Sequence, residues 1–170
     1  MGINLTWNIA VMAFAITAAI VDVQTRKIPR VLTVTGFIAG LLYHAVRGGF
    51  VNALAAAAIG FVVGMALFSL GAIGGGDVKL VAALGAMLGF HTWVRAMEFA
   101  IFAAGIMALI QIIRHKAVRQ TFRNIGAILR GFFTSGLRAH PVVNVQNTAL
   151  IRSPFGLAAA MGTVAALLRV

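Results

Sequence analysis

Six apolar stretches, at about 4–21, 31–46, 51–73, 78–90, 93–113 and 154–169, leave this 170-residue chain few ways to fold. Each is rich in Ala, Leu, Val, Ile, Phe and Gly, and none shows the strict alternation of a barrel strand. A bilayer core about 30 Å thick takes a helix of about 20 mainly apolar residues. Helix is also the backbone form that crosses lipid with its own hydrogen bonds satisfied. Charged residues make up 10% of the chain, well below the roughly 25% of soluble domains. The expectation is an all-α integral membrane protein, a bundle of about six transmembrane helices forming one membrane-embedded domain over 1–170. The first run has no basic residue before it and ends in an aspartate and a basic cluster, so it is expected to be a span and not a cleavable signal peptide.

Charge sets the topology. The net charge is +11, from 14 basic and three acidic residues. On a soluble protein that excess would point to nucleic acid. Here the basic residues lie between apolar runs, where they fix orientation, and no nucleic-acid partner is expected. With six spans and the N-terminus outside, Arg26, Lys27, Arg30, Lys79, Arg114, Lys116, Arg119, Arg123, Arg130, Arg138 and Arg152 are cytoplasmic, and Arg47, Arg95 and Arg169 are outside, eleven against three. If 78–90 did not cross, the count would become six against eight and the positive-inside bias would vanish. Six spans are therefore expected, the fourth short or tilted.

The long polar connection, about 114–152, carries Val118, Phe122, Ile125, Leu129 and Phe132 at steps of four and three. That spacing predicts a basic amphipathic helix over about 114–133, resting on anionic headgroups at the cytoplasmic surface. Gly36/Gly40, Gly60/Gly64 and Gly85/Gly89 have the spacing that lets helices pack closely, with no bearing on chemistry. Trp7, Tyr43 and Trp93 are expected at the membrane interfaces.

Chemistry rests on very few groups. There is no cysteine, hence no disulfide or thiolate metal site. His44, His91, His115 and His140 lack ligand spacing, so neither a metal nor a cofactor is expected. No serine among Ser69, Ser135 and Ser153 is flanked by a His/Asp partner. Glu98 follows Arg95 by three positions, a pairing on one helix face. The two aspartates, Asp22 and Asp77, remain. Asp22 follows residues 11–21, among which Thr17 is the only polar side chain, and Asp77 follows a span and three glycines. Carboxylates at the edge of hydrocarbon are costly and mark function by default. The structural alternatives are a helix-end anchor for Asp22, paired with Arg26 or Lys27, and an N-cap of the fourth span for Asp77. In the six-span topology both fall at the cytoplasmic face at similar depth. Two carboxylates so placed hold one shared proton near neutral pH, the chemistry of an aspartic protease. Gly74-Gly75-Gly76 removes side chains beside Asp77, so that an extended substrate can approach and pair with the backbone. Two other classes stay open: a small proton-coupled transporter or channel using Asp22 and Asp77 as a relay, and a scaffold subunit without activity.

Asp22 with Lys27-Ile28-Pro29, followed by Gly74-Gly75-Gly76-Asp77-Val78-Lys79-Leu80, resembles the prepilin peptidases, GxGD-type intramembrane aspartic proteases. Gly85 and Leu88-Gly89 continue the second motif, and Pro154-Phe155-Gly156 resembles the motif opening the family's last span. The resemblance covers nearly the whole chain and is closest to the short, peptidase-only form serving Flp/Tad pili. Arg30 stands where that family usually has asparagine. The resemblance implies Asp22 and Asp77 as catalytic residues, with substrate contacts from Gly74, Gly75, Gly76, Lys79, Lys27, Pro29, Pro154, Phe155 and Gly156. It implies a prepilin substrate, with a short basic leader, a cut after glycine and then a hydrophobic helix, processed at the cytoplasmic face of the bacterial inner membrane among its lipids. The longer bifunctional members insert a cysteine-bearing domain between spans one and two. Here that loop is only about 22–30, which implies a peptidase without methyltransferase activity.

Overall fold

The computed structural model describes residues 5–114 and 154–169. They form six helices and no strand: α1 (Leu5–Thr25), α2 (Arg30–Arg47), α3 (Phe50–Ser69), α4 (Gly75–Leu88), α5 (Phe90–Arg114) and α6 (Phe155–Leu168). Each expected apolar run is one helix. The amphipathic helix expected from about 114 lies, beyond Arg114, outside the described residues, as do His115, His140, Ser135 and Ser153.

The bundle is packed the way lipid requires. Its interior is built largely of small residues, including Ala15, Ala18, Ala53, Ala56, Ala83, Ala96 and Ala158, while Ile9, Val31, Val51, Val62, Ile101 and Phe102 point outward. Water would reject that exterior, whereas lipid tails are as apolar as leucine and leave close packing of small residues to hold helices together. By length and composition α1, α3 and α5 suffice to cross a bilayer. This is an all-α membrane protein.

The short α4 is the axis of the bundle and touches the five other helices. Val78 and every residue from Leu80 to Leu88 are buried. At 14 residues it is about 21 Å long, less than the hydrocarbon thickness. Encased by its neighbours, it meets little lipid. The glycines make that encasement possible. A Cβ on Gly40 would sit 2.5 Å from the Ala86 carbonyl carbon, and one on Gly85 would sit 2.7 Å from that of Ala56. Gly60 and Gly64 face Val81 and Val78 of α4. Gly89 serves differently, as the C-cap of α4 with φ +69°.

Polar contacts distinguish the two ends of the bundle. At the end formed by the start of α1 and the C-termini of α2 and α4, the Met87 carbonyl accepts from Trp7 Nε1 at 3.0 Å and from His44 Nε2 at 3.2 Å. Trp7 also stacks on Tyr43 with ring centroids 3.9 Å apart. Met87 lies in the last turn of α4, where carbonyls have no intrahelical donor, so these bonds complete the helix. Trp7→Phe keeps the stacking and removes one donor; an unfolding midpoint lowered by the equivalent of about 1 kcal/mol is expected in detergent. Trp93, expected at a membrane interface, turns its ring into the bundle. It is 7% exposed and donates Nε1–H to the Val81 carbonyl at 3.2 Å. The gap left by Gly60 admits its ring against α4.

Candidate active site

Both aspartates lie at the opposite end. α1 runs past the expected boundary to Thr25, which places Asp22 inside its last turn and not beyond it. Thr25 Oγ1 lies 2.9 Å from both the Val21 and Lys27 carbonyls and accepts the Lys27 N–H. Arg26 takes a left-handed φ of +53° and donates its N–H to the Asp22 carbonyl at 2.8 Å. A left-handed residue after a helix is the usual way to satisfy its last carbonyls, although a side chain there costs about 1–2 kcal/mol. The turn carries Ile28 back against the start of α4, and Pro29 then opens α2.

Asp22 is 7% exposed. Its Oδ2 accepts the Gly156 N–H at 2.8 Å, a link across 134 positions from α1 to the first turn of α6. Asp77 sits in the first turn of α4. It is not that helix's N-cap: Gly74 is, and Asp77 occupies the third helical position, its Oδ2 accepting the Gly74 N–H at 2.9 Å. A carboxylate reaching back in this way is half of a capping box. The glycine run is therefore helical from Gly75 onward, which is why α4 starts three residues before the apolar run at 78. Gly76 faces Ile28, whose Cβ lies 3.4 Å from where a Gly76 Cβ would be. The turn after Asp22 packs Ile28 on Gly76, the residue before Asp77, so both aspartates lie at the same end of the bundle. Each carboxylate takes an N–H from a helix start, one from α6 and one from α4.

The other expected site residues divide. Gly74, Gly76, Pro154, Phe155 and Gly156 lie with the aspartates. Pro154 is the N-cap of α6 and Phe155 packs on the core. Gly75, Lys27 and Pro29 are exposed at the same end. Lys79 stands apart. Two residues beyond Asp77 is about 200° around a helix. Lys79 accordingly lines a different space, an apolar groove of about 440 Å³ between α2 and α3 with Thr33, Phe37 and Phe61. Arg30 opens α2, and its carbonyl accepts the Thr33 hydroxyl. Ile28, quoted from the sequence only within Lys27-Ile28-Pro29 and given no role there, is the one addition. Gly76 was its only signal, and that signal does not name the partner. A larger apolar groove, about 610 Å³, runs between α1 and α6 along Ile16, Ile20, Val23, Leu157 and Met161, on the outer side of the helices that bear Asp22 and Gly156.

The sequence profile of the type IV leader peptidase family matches residues 9–110, α1 through nearly all of α5, with both aspartates inside the match. The chain belongs to that family. It is similar to a prepilin leader peptidase/N-methyltransferase from Myxococcus xanthus (strain DK1622), 28% identical over 114 residues. The similarity covers 62% of this chain and 34% of that protein, so the chain spans about a third of the relative's length. No solved structure matches the chain.

Proposed function

We propose that this protein is a membrane aspartic endopeptidase that removes the short basic leader from prepilins, with Asp22 and Asp77 as the catalytic pair. The observation that carries the reading is that a member of the leader peptidase family has its only two aspartates at the same end of the bundle, each held by a helix-start N–H. Two neighbouring carboxylates share one proton because like charges at short range cannot both ionise. The ionised member takes a proton from a water placed between them as that water attacks the scissile carbonyl. The protonated member hydrogen-bonds the carbonyl oxygen and then supplies the proton to the leaving amine. The titration belongs to the pair and not to either residue.

The finer reading is a short, peptidase-only enzyme of the Flp/Tad type in the bacterial inner membrane, with six spans and the N-terminus outside. A loop of four residues between α1 and α2 leaves no room for an inserted domain there. The site end carries Arg26, Lys27 and Arg30 and is assigned to the cytoplasm. A carrier or channel is the weaker reading, because the acids cluster at one end of the bundle and not at its middle. Because the chain has no cysteine, single introduced cysteines give a clean topology test. On spheroplasts an impermeant maleimide is expected to label Val46→Cys at once and Ala72→Cys only after permeabilisation. The reverse pattern overturns the orientation. Activity is tested by co-expression with a candidate prepilin in a host lacking its own peptidase. The leader should be removed and the new amino terminus should carry no methyl group by mass spectrometry; no removal of any leader bearing glycine before the cut rejects the proposal.

A further inference from the structure

Pro154-Phe155-Gly156 contributes something other than substrate contact. Pro154 ends the extended approach with φ −68° and ψ 108°, and α6 begins at Phe155. Gly156 is therefore the second helical residue, whose N–H has no partner carbonyl within the helix. That free donor meets Asp22 Oδ2 at 2.8 Å. The Asp22 side chain is more than nine-tenths buried, so the bond works in a site largely closed to water. The position also admits no side chain. A Cβ on Gly156 would lie 2.9 Å from both Asp22 Cβ and Oδ2, and no rotamer of Asp22 moves its own Cβ away. We infer that Gly156, set by Pro154 at the start of α6, is a positioning residue: its N–H and its missing side chain fix the Asp22 carboxylate against the Asp77 site. This rests on the proposed catalytic pair and adds a role for α6, which lies outside the residues matched by the family profile.

Helical propensity makes the inference testable, because alanine suits a helix better than glycine. Any loss in Gly156→Ala therefore comes from the contact. In purified enzyme acting on a prepilin in detergent micelles, Gly156→Ala is expected to lower kcat about 100-fold, the cost of displacing a reacting group by about 1 Å, with KM within about twofold. A substrate-binding role would instead raise KM and leave kcat near wild type, and that result overturns the inference. Thermal unfolding provides a readout independent of activity. Gly156→Ala should destabilise the wild type more than it destabilises Asp22→Gly, where both the Cβ and the Oδ2 clash are gone. Equal costs in the two backgrounds, or failure to fold in both, overturn the inference. Folding only in the Asp22→Gly background supports it. Asp22→Asn assayed in parallel separates the two claims. If Asp22→Asn still cleaves, the catalytic reading falls and the unfolding cycle alone reports the contact. If Asp22→Asn is inactive while folded Gly156→Ala keeps wild-type kcat, only the positioning role falls.

Discussion

Asp22→Asn and Asp77→Asn should each abolish leader removal while leaving the protein folded in the membrane. The structural contacts survive the change. Asparagine Oδ1 still accepts the Gly156 N–H in place of Asp22 Oδ2, and likewise the Gly74 N–H in place of Asp77 Oδ2. Neither bond needs a charge, and each amide matches the volume of the acid it replaces. What is lost is the proton: an amide neither takes one from water nor returns one to the leaving amine. The expected loss is on the order of 10⁴-fold for each variant, and the double variant should be no worse than either single, since groups that act as one unit are strongly non-additive. Glu98→Gln should stay near wild type, because Glu98 is exposed on α5 away from both aspartates. The measurement is co-expression with a prepilin, read as a mobility shift on a gel, with membrane fractions blotted for the enzyme. Substantial processing by the double variant would end the aspartic-protease reading. Processing retained by one single variant would make that aspartate a structural anchor and leave its partner unpaired.

Much of this arrangement was legible in the residues, and the exceptions have physical causes. Period and length of the apolar runs give six helices because lipid allows the backbone no other open form. Boundaries slipped where apolar character and helicity part. Residues 70–73 read as span, yet Gly71 with φ +73° has already turned the chain after α3. Gly75 and Gly76 fall between two apolar runs, yet they are in the first turn of α4, because Asp77 caps that turn through Gly74. The two aspartates stood out through their scarcity, their place at the edge of apolar runs and the glycine motif before Asp77. Their surroundings did not: nothing local in Gly156 announces a bond to residue 22, and nothing in Gly76 names Ile28. Those pairings follow from how α1, α4 and α6 pack, and one chain without its relatives carries no signal for contacts of such sequence separation. Trp93 shows the same limit, since aromatic character near a span end suits an interface as well as a pocket opposite Gly60.

Gly85→Val should be strongly damaging although it lies away from both aspartates. Gly85 meets α3 where the Ala56 carbonyl carbon and the Ala57 nitrogen would lie 2.7 and 2.8 Å from a Cβ. Those atoms are backbone in the middle of a helix and cannot rotate aside, so α4 must move away from α3. Overpacking typically costs about 1–3 kcal/mol, and here relief requires shifting the helix that every other helix contacts, so the cost belongs at or above that range. Against a total stability of about 5–15 kcal/mol, a large fall in membrane-inserted protein and a lowered unfolding midpoint in detergent are expected. Gly105→Ala is the matched control. Nothing lies within 4 Å of its added Cβ, and alanine in a helix interior is favoured over glycine by up to about 1 kcal/mol, so that variant should match or exceed wild type. The milder Gly85→Ala links packing to chemistry. Asp77 rides on α4 eight residues, about 12 Å, from Gly85. A displaced α4 therefore carries one carboxylate while α1 and α6 hold the other. Folded Gly85→Ala is expected to cleave about tenfold more slowly, a fraction of what a full 1 Å displacement would cost. An unchanged unfolding midpoint for Gly85→Val would mean that α3 and α4 do not approach as described, and the placement of Asp77 would lose its support.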